Sequence, residues 1–547
     1  MKKILYSILC GLLITSTSCN KFLDVNQTNP NNPVAVGVDL VLPQALAATA
    51  STSVTFNSYG AWTGGFQANA GGFGGFGAVL TYNYTTSDNT GLWSQSYNNI
   101  NDFQYVINNS APTGIYKNFN AVAKIMRVFA FQRLVDVYGD VPYTESAKGL
   151  ENLTPKYDKA EDIYKDLIKQ IDDAIVSINL PNDKKTTVSL ARGTNGSIDI
   201  TGLSGDGYTL TGWKKFANTL KLRLLIRIQK VGSLASTYNA GKASLASLGA
   251  ADFLTDDVLV QPGYAKQDGK QNPAFQTYAY DAAGNATQSS NVPTWYARAF
   301  YAGDVLEDNY RYGATYRTGT NFNQLGYTGS DAATSPTGSN WYIPQTDEST
   351  IVGILKGPNA PFPLMLAAEG YFLQAEANLI GLLSGGTSAV NLAFHNGIGQ
   401  SIKYLYKNAS GTPTETDGDI FGAGGYVDSY AADNASRTDG NGYLADITSA
   451  TSDEERLEAI ITQKWIALNF ITSNEAWAEF RRTGFPKSNP TADGNDVSSI
   501  VSLQSTSPRA DKLPVRVLYP QSEYAVNAGN APTGVSQFTS RIFWDAN

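Results

Sequence analysis

Residues 118–138, Asn-Phe-Asn-Ala-Val-Ala-Lys-Ile-Met-Arg-Val-Phe-Ala-Phe-Gln-Arg-Leu-Val-Asp-Val-Tyr, read as a helix with two apolar faces. Val122, Ile125, Met126 and Phe129 lie on one face, and Val128, Phe131, Val135 and Tyr138 on another. A helix apolar on both sides has to be sandwiched between neighbours. Gly139 can end it, and Pro142 forbids an early restart. This stretch therefore predicts a stacked helical body rather than an isolated amphipathic element.

Its flanks supply the neighbours. Leu92 to Asn108 sets Trp93, Tyr97, Ile100 and Tyr105 near helical spacing, and Ala160 to Ile178 carries Ile163, Leu167, Ile171, Ile175 and Ile178 on one stripe. Trp213 to Lys230 follows, with Trp213, Phe216, Leu220 and Leu224. Residues 92–230 thus predict stacked antiparallel helix pairs of the tetratricopeptide kind, although the spacing is too irregular to define a repeat. Helical period returns at Leu364 to Leu383, Ala389 to Tyr406 and Glu454 to Phe470, the last opened by a capping box of Ser452 and Glu455. A shorter first helix is expected within Val36 to Ala50, broken or started by Pro43 near Leu42.

Between these helices the chain reads as loop. Residues 51–91 alternate Gly with Trp62, Phe66, Phe73, Phe76, Tyr82 and Tyr84, and so much Gly is hard to keep in a helix. Residues 231–360 crowd Gly, Asn and Thr around Trp295, Tyr296, Tyr312 and Trp341. Residues 411–450 read as a further loop, 193–212 as a short excursion, and the tail from Leu513 as Pro-punctuated short strands. The fold class expected is mainly α: a helix-pair array with long loop-rich, partly β excursions.

The chain's start is a targeting segment. Lys2 and Lys3 precede an apolar run, Ile4 to Ile14, too short to span a bilayer. Thr15 to Ser18 are small, and Cys19 follows, which reads as a signal peptide of residues 1–18 and a lipidated Cys19. Residues 19–35, with Asn29-Pro30 and Asn32-Pro33, form a tether to a single domain of residues 36–547. Cys10 leaves with the signal, so the mature chain has no disulfide and no thiolate metal site.

Composition bounds the chemistry. One histidine, His395, leaves little room for zinc or triad catalysis. The formal charge of −8 becomes −10 once a signal with two lysines and no acid is removed, which disfavours nucleic acid and anionic lipid surfaces. Glu369 and Glu376 share a helix face among Ala, Leu and Phe, which favours structural carboxylates over a glycosidase pair. Arg481 and Arg482, beside Trp477 and Glu475, read as packing and ion pairing. Asp417, Asp419, Asp433, Asp439 and Asn441 offer oxygen ligands for a structural calcium, but without EF-hand spacing. No other cofactor is expected.

Several stretches together resemble the SusD/RagB family. They are Cys19-Asn20-Lys21-Phe22-Leu23-Asp24-Val25-Asn26, Asp136 to Glu145, Trp213 with Ala217 to Arg223, Ala367 to Tyr371 with Ala375 to Ala377, Gln463 to Asn469 with Glu475-Ala476-Trp477 and Arg481 to Pro486, and finally Pro514, Arg516, Tyr519-Pro520, Glu523 and Asn527. The resemblance implies four tetratricopeptide-like helix pairs, with the loop-rich regions 51–91 and 231–360 packed to one side and carrying the ligand surface. It implies a non-catalytic, lipid-anchored outer-membrane protein that caps a SusC-like TonB-dependent β-barrel and passes ligand to it. Aromatic faces stack on sugar rings or peptide side chains while amides orient them. The expected ligand residues are therefore Trp62, Asn69, Phe73, Tyr84, Asn272, Trp295, Tyr296, Tyr312 and Trp341. The ligand expected is an oligosaccharide, with an oligopeptide as the alternative; a secreted glycoside hydrolase and a protein-binding helical scaffold are the competing classes.

Overall fold

The computed structural model describes residues 36–191, 198–288, 290–334, 352–491 and 496–547. Cys19 and Trp341 lie outside the described residues. One hydrophobic core runs from Val38 to Trp544, and it is mainly helical.

The long helices are α1 (Val38–Thr63), α3 (Thr90–Asn108), α4 (Lys117–Tyr138), α5 (Ala160–Asn179), α6 (Thr211–Ile228), α11 (Ala367–Leu379), α12 (Gly386–Leu405), α15 (Asp453–Ala467) and α16 (Ser473–Thr483). They pack as the sequence predicts, in tetratricopeptide-like pairs: α4 lies between α3 and α5, α11 against α12, and α15 leads into α16. Helix α4 is buried almost throughout, which its two apolar faces required. Shorter helices fill the connections: α2 (Ala78–Thr81), α7 (Ala235–Leu245), α8 (Pro273–Tyr278), α9 (Trp295–Ala299), α10 (Asn309–Thr315), α13 (Asp417–Phe421), α14 (Tyr426–Ala435) and α17 (Gln521–Val526). The described parts of residues 231–360, and residues 411–450, are thus more helical than their composition suggests.

The largest departure is α1. The composition of residues 51–63 predicts loop, yet the helix runs unbroken through Pro43 to Thr63. Pro43 removes only one amide near the helix start, while Leu42, Ala45 and Leu46 are fully buried beside it. The Ser and Thr residues that make the stretch look loop-like are absorbed by the helix itself. Thr49, Thr52, Ser53, Ser58 and Thr63 each donate a hydroxyl to the carbonyl four residues back.

The capping box at α15 is half made. The Ser452 hydroxyl accepts from Glu455 N, but the Glu455 carboxylate reaches back to Thr451 rather than to Ser452. The tail contains α17 and turns instead of short strands. Its extended segment is held by Arg481 Nη1 on Val515 O at 2.8 Å and by Val517 N on Val137 O at 2.8 Å.

Two small antiparallel ladders complete the fold. Strand β1 (Gln67–Asn69) pairs with β3 (Asn291–Pro293), Gln67 opposite Pro293 and Asn69 opposite Asn291. Strand β2 (Val258–Val260) pairs with β4 (Phe362–Met365). The first ladder is buried and ties the two aromatic, glycine-rich regions together.

Candidate functional site

Helix α1 presents Ser51, Thr55, Ser58 and Trp62 along one side, spaced four, three and four residues apart, so they share a face. Alongside runs α3, tied across by Thr55 Oγ1 donating to Gln95 Oε1 at 2.9 Å. Opposite stand Pro273, Gln276 and Thr277 of α8 and Thr287 beyond it. Val79, Tyr84 and Asn89 close the near end. The open cleft between them measures about 660 Å³.

Trp62 is the half-buried aromatic wall, and Phe76 meets it edge-on with ring centroids 6.1 Å apart. Phe73, on the same glycine-rich loop, is 44% exposed. Gly72, Gly75 and Gly77 have positive φ, so this loop turns where a side chain would be strained. Deeper in, Tyr84 lies 5.7 Å from Tyr59, which meets Trp477 edge-on. Burial pushes both tyrosine hydroxyls well above their ordinary pKa, so both are neutral. Tyr59 and Asn89 contribute to the lining, but Tyr59 Oη and Asn89 Nδ2 are turned away from solvent and have no hydrogen-bond partner. Such atoms are costly unless something completes them. None of the lining residues is Asp or Glu.

The other expected residues have different places. Asn69 is buried, accepting from Gly326 N at 2.8 Å and donating to Tyr327 O at 2.9 Å. It pins the two loop-rich regions together and has no free edge for a ligand. Asn272 is also buried: it caps α8 through Ala274 N and Phe275 N and donates to Ala360 O. Tyr296 is 1% exposed, packed on Trp465, with its hydroxyl on Lys487 O at 2.8 Å, so its ring belongs to the core. Trp295 is half-buried against Phe322 and the Arg298 guanidinium, and Tyr312 packs on Tyr301 and Tyr316; neither lines the cleft. Of the predicted set, the cleft gathers Trp62 and Tyr84, with Phe73 exposed nearby in sequence.

The residues not foreseen are Ser58, Thr55, Gln95, Gln276, Tyr59 and Asn89. A polar stripe of helical period was present in residues 51–62, but it is visible only once that stretch is read as helix.

The calcium donors are dispersed. Asp417 pairs with Lys403 at 2.6 Å, Asp439 with Arg437, and Asp419 caps α13 through Thr416. Among the described residues no three His, Cys, Asp or Glu side chains gather to hold a metal. His395 Nε2 lies 3.5 Å from Asp428 at the surface.

A family model described as SusD-like, starch-binding and associating with the outer membrane, matches residues 66–508. The chain belongs to the SusD/RagB family. Solved structures of the same fold include a chitin-binding SusD homolog from Flavobacterium johnsoniae, 22% identical over 92% of this chain and 99% of that one, with a TM-score of 0.64. A chitin-binding protein is 23% identical over 93% of this chain and 99% of that one, TM-score 0.63. A SusD homolog from Bacteroides uniformis is 22% identical over 93% and 99%, TM-score 0.61. At these identities the SusD likeness shows the fold. No curated protein matches the chain.

Proposed function

We propose that this SusD-like protein binds an uncharged oligosaccharide at the outer membrane, without catalysis, and hands it to a SusC-like TonB-dependent barrel. The observation that carries this is the cleft between α1 and α8. An aromatic face, Trp62, stands beside the neutral polar side chains of Thr55, Ser58, Gln95 and Gln276. That combination suits a sugar ring: its apolar C–H face stacks on indole and its hydroxyls meet the neighbouring hydroxyl and amide groups.

The family description, starch-binding and associating with the outer membrane, supports the ligand class and the location. So do the chitin-binding relatives. Glycoside hydrolysis needs a pair of carboxylates flanking the scissile bond, and the cleft lining offers none. Lipidation at Cys19 would anchor the chain at the membrane beside the barrel that the body caps as a lid. Among the described residues no helix is long and apolar enough to cross a membrane.

The test is to incubate purified protein with starch and chitin oligosaccharides and follow both binding and new reducing ends. Binding with no new reducing ends is expected. Turnover would place the protein among the hydrolases, and no binding would remove the glycan reading.

A further inference from the structure

The cleft at Trp62 does not end at Ser51. A second cleft of about 670 Å³ continues from it, and the two share Ser51, Gln95, Pro273 and Gln276. The continuity follows from α1. Gln44, Ala48, Ser51, Thr55, Ser58 and Trp62 are spaced four, three, four, three and four residues apart, one uninterrupted stripe. At about 1.5 Å rise per residue the stripe from Gln44 to Trp62 extends roughly 27 Å, several sugar rings long. Ala47, Ala48 and Ser51 keep its middle shallow, leaving room above the helix.

The walls of this second half are built for hydroxyl and amide groups. Asn98, one turn beyond Gln95 on α3, is exposed on the helical side. Across from it stands Gln271, 4% exposed. Its Nε2 donates to Tyr280 O at 2.9 Å, which fixes the side chain in the wall of the groove. Tyr264 supplies an aromatic ring, its loop set by Gln261 Oε1 accepting from the amides of Gly263 and Tyr264. One acid and one base, Asp102 and Lys270, line the groove, so it carries no net charge of either sign.

We propose that the two clefts form one groove along α1, and that the Asn98–Tyr264–Gln271 half is a second set of subsites for the continuation of an unbranched, uncharged oligosaccharide. The ligand is then an extended chain, and affinity grows with its length. This rests on the glycan-binding reading above, and the experiment separates the two.

Calorimetry on the full mature chain with chito-oligosaccharide and maltooligosaccharide ladders, dimer to hexamer, reads the groove directly. In the wild type, affinity should rise tenfold or more from dimer to hexamer of the preferred series. Asn98→Ala combined with Tyr264→Ala should return the hexamer to the dimer's level and leave the dimer unchanged. Trp62→Ala should weaken both. Asn98 is exposed and Tyr264 half-buried on a loop, so near-unchanged melting temperatures are expected to accompany these results. A flat length dependence, or a hexamer indifferent to the double substitution while Trp62→Ala still weakens binding, overturns the extended groove and leaves the glycan reading standing. No binding of any oligosaccharide by the wild type overturns both.

Discussion

Arg223 Nη2 donates to Glu369 Oε1 across 2.7 Å, and neither side chain is more than 1% exposed. This pair joins α6 to α11, and it opens a buried network. Arg227 bridges Asp136 on α4 and Glu475 on α16, Lys464 meets Glu479 at 3.2 Å, and Arg482 meets Glu376 at 2.7 Å. The helix pairs are therefore locked by charges at their shared centre as well as by apolar packing. Removing one member of a buried pair strands the other charge, at a cost of about 3–5 kcal/mol. Glu369→Ala should lower unfolding stability by that amount in a urea titration. Combined with Arg223→Met it should cost less than the two single losses added, because the double variant strands no charge in that pair.

The same network predicts acid sensitivity. Burial alone would push the Glu475 carboxyl up, but the guanidiniums of Arg223 and Arg227 outweigh it and hold it down at about 2. Glu479, also buried, is held low by Arg482, Lys464 and Arg227. Unfolded, such a carboxyl returns to its ordinary 4.5. A depressed folded pKa stabilises the fold in full above the unfolded value, and that stability is lost as pH falls through the folded one. Asp136 works in the opposite direction, since burial raises its carboxyl and Arg227 only partly offsets this. Unfolding stability should therefore decline between pH 4.5 and about 2, with a shallower slope in Glu475→Gln. The same slope in both proteins would contradict this.

Gly60 marks where α1 crosses the start of α16. A Cβ there would collide with Asn474 N and the Ser473 carbonyl carbon, both backbone atoms that cannot rotate away. Gly60→Ala should force the helices apart and cost about 1–3 kcal/mol. Gly74→Ala, with nothing within 4 Å, is the control and should stay within about 0.5 kcal/mol of wild type. Denaturant midpoints of the two variants check both.

The anchor is tested by fractionation. Cys19→Ala should move the protein from the outer-membrane fraction to the soluble one, because about 0.8 kcal/mol per buried methylene is lost with the acyl chains. Continued recovery with the membrane would contradict lipidation at Cys19.

The helical array was legible because long apolar stripes announce themselves: α4, α5 and α6 begin and end within two residues of their expected bounds. The scaffold role of Glu369 and Glu376 was legible from their apolar surroundings, and Arg223 and Arg482 account for it. Helix α1 is hidden past Ala50 because its hydroxyls bond to its own carbonyls, which composition does not reveal. That one stretch conceals most of the cleft, since Ser51, Thr55 and Ser58 face it only as helix positions. Asn69, Asn272 and Tyr296 show the converse. Their residue types suit a ligand, but their hydrogen bonds go to Tyr327, Ala360 and Lys487 instead. Burial of a polar side chain depends on partners far away in the chain, and no local pattern carries that.

The central claim is that Trp62 forms the aromatic wall of a glycan cleft. Titration calorimetry of the wild type and Trp62→Ala with the best-bound oligosaccharide, alongside their melting temperatures, addresses it most directly. Loss of a half-buried stacking face predicts affinity weakened tenfold or more, with melting shifted by only a few degrees. Unchanged affinity with a large fall in melting temperature would make Trp62 a core residue and contradict the account.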